Sequence, residues 1–150
     1  MLQPGDPAPD FEAETDGGGT LRLADLRGKK VVLYFYPKDN TPGCTFEALS
    51  FRDAQPEFAA KNAVILGVSA DSVRSHDRFK AMHNLPFRLL SDRDHAIAEA
   101  YGAWREKKLF GRKYMGIVRS TYLIDEHGRI EATCDKVRVH GHAADVLERL

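Results

Sequence analysis

Apolar residues follow two different periods along this chain, and their alternation predicts strands alternating with helices. Val31–Tyr36 and Ala63–Val68 are short, almost unbroken apolar runs rich in β-branched and aromatic residues, the pattern of strands covered on both faces. Gly5 to Pro9 reads as an extended lead-in. Strand-like pieces at Phe11–Glu14 and Thr20–Leu23 flank a turn at Gly17-Gly18-Gly19. Ala24–Leu26 predicts one helical turn closed by Gly28. Gly43 to Gln55 reads as a helix, with Phe51, Ala54 and Phe58 at helical spacing, and Pro56 predicts a kink or a new segment. Asp71-Ser72 offers an N-cap for a helix to about His83, and Arg88–Leu90 is a short strand. Asp92 or Asp94 can cap a helix to Tyr101, which Gly102 ends.

The basic and aromatic stretch Trp104–Met115 reads as a loop. Ile117–Ile124 is a strand, Asp125–Gly128 a hairpin turn, Arg129–Thr133 the returning strand and His142–Leu150 a short amphipathic helix. This order predicts one domain over residues 1–150, an α/β fold in three layers with a central mixed β-sheet flanked by helices.

Composition narrows the function classes. The chain has 150 residues, 43% apolar and 29% charged, with a net charge of zero. That is ordinary for a globular domain and gives no electrostatic footprint for nucleic acid or a membrane surface. No apolar run approaches the about 20 residues of a spanning helix. The start, Met1-Leu2-Gln3-Pro4-Gly5-Asp6-Pro7, lacks the basic and apolar pattern of a signal peptide, so a cytoplasmic location is expected. Among six histidines, His140-x-His142 is the closest pair, with no cysteine or carboxylate at ligand spacing, and no metal site is expected. Lys107-Lys108 and Arg112-Lys113, flanked by Trp104, Phe110 and Tyr114, read as a loop bordering a site or contacting a reductant. Phe46, Trp104 and Tyr114 are candidates for an apolar mouth.

Two cysteines, Cys44 and Cys134, are too few for a disulfide scaffold. Cys44 stands where a buried strand ends in the turn-rich loop Pro37–Gly43 and a helix begins. A helix N-terminus favours negative charge, and the thiolate is the nucleophilic form of cysteine. A helix end is worth only roughly 0.3–1 kcal/mol, so a cation is also needed. Arg119, a charge inside an otherwise apolar strand, is the candidate, because it is costly there unless paired. Thr41, three residues before the cysteine, can turn its hydroxyl to the sulfur or cap the helix. Pro37 fixes the backbone as the chain leaves the strand, and Gly43 lets another group approach closely.

The string Tyr34-Phe35-Tyr36-Pro37-Lys38-Asp39-Asn40-Thr41-Pro42-Gly43-Cys44-Thr45 resembles the bacterioferritin-comigratory-protein (PrxQ) subfamily of the peroxiredoxins. So do Ser50–Asp53, Tyr101–Trp104 and Lys113–Thr121, and the resemblance runs from about Gly5 to the C-terminus. It implies a thioredoxin-like fold, thiol-dependent reduction of hydrogen peroxide and organic hydroperoxides, and no cofactor. Cys44 would be the peroxidatic cysteine, passing through a sulfenic acid. Thr41 would orient the peroxide, Arg119 would stabilise the thiolate and the peroxide oxygens, and the N–H groups of Gly43 and Cys44 would be fixed donors. Pro37 would shield the sulfur. Glu47 matches an acidic position of the family and is expected to orient Arg119, the alternative being a dipole-favoured surface carboxylate.

The chain departs from its relatives at the second cysteine. Leu49 stands five residues after Cys44, where many carry a resolving cysteine, and Lys80–His83 contains none. Cys134 is expected opposite a residue near Ser120, one strand further out, so reaching Cys44 needs movement. The expectation is a one-cysteine enzyme resolved by an external thiol such as thioredoxin, glutaredoxin or glutathione. Resolution by Cys134, and a non-catalytic thioredoxin-fold binding or holdase module, are the alternatives. A thioredoxin-type oxidoreductase is opposed by the missing Cys-x-x-Cys. The chain ends directly after the final helix, without the extension of the dimeric two-cysteine class, so a monomer or at most a weak dimer is expected.

Overall fold

The two apolar periods become two kinds of layer. In this computed structural model, which describes residues 2–135 and 137–150, the strands are β1 (Glu12–Thr15), β2 (Thr20–Arg22), β3 (Lys30–Phe35), β4 (Ala63–Ser69), β5 (Arg88–Ser91), β6 (Trp104–Leu109), β7 (Arg112–Ile117), β8 (Ser120–Ile124) and β9 (Ile130–Cys134). The helices are α1 (Pro42–Ala60), α2 (Val73–His83), α3 (Ala96–Ala100) and α4 (His142–Glu148). Seven strands form one sheet in the order β2-β1-β5-β4-β3-β8-β9, and β6 and β7 form a separate hairpin. The β3, β4 and β5 neighbours run parallel, while the flanking pairs are antiparallel. This is the expected central mixed sheet flanked by helices.

β3 sits near the centre because nothing polar interrupts it: Val32, Leu33, Tyr34 and Phe35 are fully buried. Its side chains alternate between two cores, one on each face of the sheet. Val31, Leu33 and Phe35 pack with Ile97, Ala98 and Tyr101 from the α3 side. Val32 and Tyr34 pack with Cys44, Phe51, Phe58 and Phe79 from α1 and α2 and with Val146 from α4. None of the described helices is long and apolar enough to cross a membrane.

Several boundaries differ from the sequence expectations, some by a single residue. α1 runs through Pro56 to Ala60 without ending. Phe58, beyond the proline, is buried against Phe51 before it, so packing keeps both halves in register. The expected loop Trp104–Met115 is instead most of the β6–β7 hairpin. Its turn residues Phe110 and Gly111 both have positive φ, 50° and 76°, as a two-residue hairpin turn requires. The hairpin lies outside the main sheet and is largely exposed, so no apolar alternation announced it. The expected strand Ile117–Ile124 is divided: Ile117 ends β7, Ser120 begins β8, and Val118-Arg119 link them. Arg119 is therefore a link residue rather than a charge within a strand. Finally, β9 begins and ends one residue later than expected.

Candidate active site

β3 ends at Phe35, and the Pro37–Thr41 segment carries the chain over the sheet edge into α1. Pro42, Gly43 and Cys44 occupy the first three helical positions, where backbone N–H groups lack intrahelical acceptors. Cys44 is only 1% exposed. Arg119 reaches it from the β7–β8 link: Nη2 donates to Cys44 Sγ at 3.2 Å, and Nη1 donates to Glu47 Oε1 at 2.6 Å. Cys44 and Glu47 are three apart on α1 and so share a face, which lets one guanidinium serve both. A Cβ at Gly43 would stand 3.4 Å from Arg119 Nη2, in contact with the guanidinium.

The charges are tightly set. Burial pushes the Glu47 carboxyl up, against the pull of Arg119, to about 7. Burial opposes the Arg119 charge, yet Glu47 and Cys44 outweigh it and hold the guanidinium above its ordinary value. Burial also holds the Tyr34 hydroxyl neutral beside this group. Thr41 is the N-cap residue of α1, with no capping hydrogen bond from its side chain. Its hydroxyl donates instead to Lys38 O at 2.8 Å. Pro37 is half-buried at the start of the same segment.

A buried cluster fastens this segment from below. Tyr36 Oη donates to Asp39 Oδ1 at 2.6 Å, and Ser75 Oγ donates to Asp39 Oδ2 at 2.8 Å. His76 Nδ1 lies 2.7 Å from Asp39 Oδ2, and its Nε2 lies 2.9 Å from Leu90 O. Asp39 N donates to Asp71 Oδ2 at 2.8 Å. Burial pulls the His76 pKa down, but Asp39, the Leu90 carbonyl and Asp71 outweigh it and raise it. Donor atoms of Asp39, Asp71 and His76 lie within 4.8 Å of one another, the spacing of a metal site. They are already committed to Tyr36, Ser69, Ser75 and Leu90, so the cluster works as a clasp between the segment and α2. Sequence reading missed it; the one available signal was Asp71 beside Ser72, and Ser72 alone turned out to be the α2 cap.

Residues 4–133 match the AhpC/TSA family. Over 149 residues the chain is 53% identical to Peroxiredoxin Bcp of Bacillus subtilis, covering 99% of this chain and 95% of that one. The chain belongs to the AhpC/TSA peroxiredoxins. Among solved structures, a cysteine mutant of Xylella fastidiosa PrxQ has a TM-score of 0.95 at 39% identity, covering 99% of this chain and 95% of that one. A Xanthomonas campestris bacterioferritin comigratory protein, described for alkyl peroxide reduction, has a TM-score of 0.88 at 43% identity, covering 92% and 88%. This peroxiredoxin is a thiol peroxidase of the Bcp/PrxQ group with a thioredoxin-like fold.

The second thiol of this peroxiredoxin lies on the outer strand. Cys134 pairs with Thr121, one residue along from the expected Ser120 neighbourhood. Opposed residues of an antiparallel pair share a face, and Thr121 Oγ1 lies 2.8 Å from His142 Nε2 of α4. Cys134 thus faces the helix layer that holds Cys44, at a cleft of about 490 Å³ lined also by Arg138, His140, His142 and Arg149. Both thiols are free. His142 meets Phe51 of α1 edge-on and fills the space between α1 and the outer strands. Burial raises the Cys134 pKa.

Of the expected apolar mouth, Phe46 and Tyr114 are exposed. Trp104 instead stacks on His95 with ring centroids 3.8 Å apart and packs against the α3-side core. Directly opposed residues place Trp104 and Tyr114 on different faces of the hairpin. Another concavity, of about 500 Å³, lies at the other end of the sheet, by Lys29, Asn62 and Ala63 at the starts of β3 and β4.

Proposed function

We propose that this peroxiredoxin reduces hydrogen peroxide and organic hydroperoxides by one-cysteine chemistry at Cys44. The carrying observation is the Arg119 guanidinium, bonded at once to Cys44 Sγ and Glu47 Oε1. The Cys44 thiolate attacks the terminal oxygen of the peroxide. An S–O bond forms, the O–O bond breaks, and water or an alcohol departs after its oxygen takes a proton. Cys44 is left as a sulfenic acid. Arg119 and the N–H groups of Gly43 and Cys44 stabilise the charge spreading over the two peroxide oxygens. Thr41 accepts from and orients the peroxide hydroxyl, its own proton being given to Lys38 O. Pro37 limits access of water, and Glu47 orients Arg119. The alkyl peroxide reduction described for the Xanthomonas campestris relative supports the organic substrates.

An external thiol then attacks the sulfenic sulfur, releasing water and leaving a mixed disulfide. A second thiol restores the Cys44 thiolate and carries off the oxidised reductant. Three observations support external resolution. Leu49 and Lys80–His83 offer no thiol, Cys134 sits on the outermost strand, and His142 fills the intervening layer. Thioredoxin, glutaredoxin and glutathione are the candidate donors, and a monomer in the cytoplasm is the working state.

Intact mass after stoichiometric hydrogen peroxide, without and with a small-thiol trap, tests this. The expected product is Cys44 plus one oxygen, converted by the trap to a mixed disulfide. Cys44→Ser abolishes turnover, and Cys134→Ser leaves it largely unchanged. Loss of two hydrogens mapped to Cys44 and Cys134 would replace external resolution with an intramolecular disulfide.

A further inference from the structure

A lysine in a mostly exposed hairpin usually extends into solvent. Lys107 does not. It is half-buried on β6 between two exposed neighbours, Glu106 and Lys108. Its face of the hairpin is the one shared with Tyr114 and Gly116. The stem crosses Gly116 so closely that a Cβ there would stand 3.1 Å from Lys107 Cδ. Nζ then donates to Ile117 O at 2.8 Å. Ile117 is the last residue of β7 and immediately precedes the two-residue link that carries Arg119. Val118 N donates to Ala103 O at 2.7 Å, so the link is held from two directions.

We propose that Lys107 is a second cation of the Cys44 site, a positioning residue that fixes the Arg119 link and adds positive potential at the sulfur. The proposal rests on the assignment of Cys44 as the peroxide-attacking thiol. The electrostatics agree with the geometry. Burial lowers the Lys107 pKa, Arg119 lowers it further, and Cys44 raises it, so the ammonium senses both groups. Glu47 is paired to Arg119, Tyr34 beside the sulfur is held neutral mainly by burial, and burial likewise holds His142 of α4 towards its neutral form. Lys107 supplements Arg119 rather than cancelling it. The small residue at Gly116 has a matching role, because it leaves the path along which the lysine reaches inward.

The test compares Lys107→Met, which keeps the stem and removes the charge, with Lys107→Arg, which keeps the charge. The readout is kcat/KM for hydrogen peroxide over about pH 5 to 9. Expected for Lys107→Met is a loss of about tenfold at neutral pH, with the acid limb of the profile displaced to higher pH. Lys107→Arg keeps the wild-type position of that limb. Gly116→Val leaves the lysine chemically intact but blocks its path, and should displace the limb in the same direction. A Lys107→Met or Gly116→Val profile that superposes on wild type would overturn the proposal. So would a Lys107→Arg profile that follows Lys107→Met, because charge would then be irrelevant. Cys44→Ser is run alongside. Activity surviving in that variant would refute the assignment of Cys44, a separate result from any of these.

Discussion

One planar group does two jobs at the sulfur. Arg119 donates to Cys44 and to Glu47 from adjacent guanidinium nitrogens, a fork that a lysine cannot reproduce. Arg119→Lys and Arg119→Met are both expected to lower kcat/KM for peroxide by about 10²–10³-fold, the usual cost of removing a fixed donor from a developing oxyanion. Stopped-flow peroxide reduction measures this. The Arg119→Met fold survives, because Glu47 without its partner takes a proton rather than remaining a buried charge. The same carboxyl sets a pH dependence. With its pKa raised to about 7, Glu47 takes up a proton as pH falls through neutrality, and Arg119 loses an ionic partner. Glu47→Gln should therefore remove a component near pH 7 from the acid limb of kcat/KM. For stability the sign is opposite to that of an ordinary salt-bridged carboxylate. The unfolded chain releases this proton near 4.5 and the folded one near 7, so Glu47 costs stability as pH rises between those values. A Glu47→Gln denaturation series should lack that slope.

The segment between β3 and α1 carries no regular structure, yet three side chains and a backbone amide lock it to its neighbours. Asp39 is the hub, bonded by Tyr36 just after β3 and by Ser75 and His76 from α2. His76 has a raised pKa, so its pairing stabilises the fold below about 6.5, and that gain is lost as pH rises through the folded value. The stability gap between wild type and His76→Gln, read by urea titration, should be widest near pH 6 and narrow above it. A uniform gap across pH would refute a charged pair. In the sequence this device was invisible. Its members lie at 36, 39, 71, 75 and 76, and no periodicity links a loop aspartate to a helix histidine. The β6–β7 hairpin was hidden for a different reason. Its strands bury little, so alternation of apolar and polar residues never develops, and positive φ at Phe110 is not a residue-type signature. By contrast Cys44, Arg119 and Glu47 were legible. Cys44 stood out as a thiol at a helix start and Arg119 as a charge among apolar residues, although in a link rather than in a strand, while Glu47 was expected only from the family resemblance; the structure brings these three together.

Across the whole molecule, the sheet separates two cores, and only one of them holds the thiol. Leu33 belongs to the core facing α3, whereas Cys44 belongs to the core facing α1 and α4. Leu33→Ala should cost about 2–5 kcal/mol in stability, read by urea titration. Its folded fraction should still reduce peroxide at nearly the wild-type rate. The strand–helix alternation that builds these layers was readable because β3 and β4 are buried on both faces and therefore carry unbroken apolar runs. The division of the strand at Val118-Arg119 was not. Strand-forming residues lie on both sides of it with no turn residue between, and hydrogen bonds from Val118 N to Ala103 O and from Lys107 Nζ to Ile117 O hold the break.

The near-complete burial of Cys44 has a bearing on how the protein looks to a chemist. At 1% exposure in the reduced fold, its sulfur is shielded from a bulky alkylating probe, so a protein thiol reaches it only once the start of α1 opens, while Cys134 stands half-buried at its cleft. In a mildly alkaline native sample, a maleimide dye therefore marks Cys134 and passes over the thiol that peroxide finds. A fluorescent tag intended to report on turnover would sit on the wrong strand, and the count of reactive thiols would double only after denaturation.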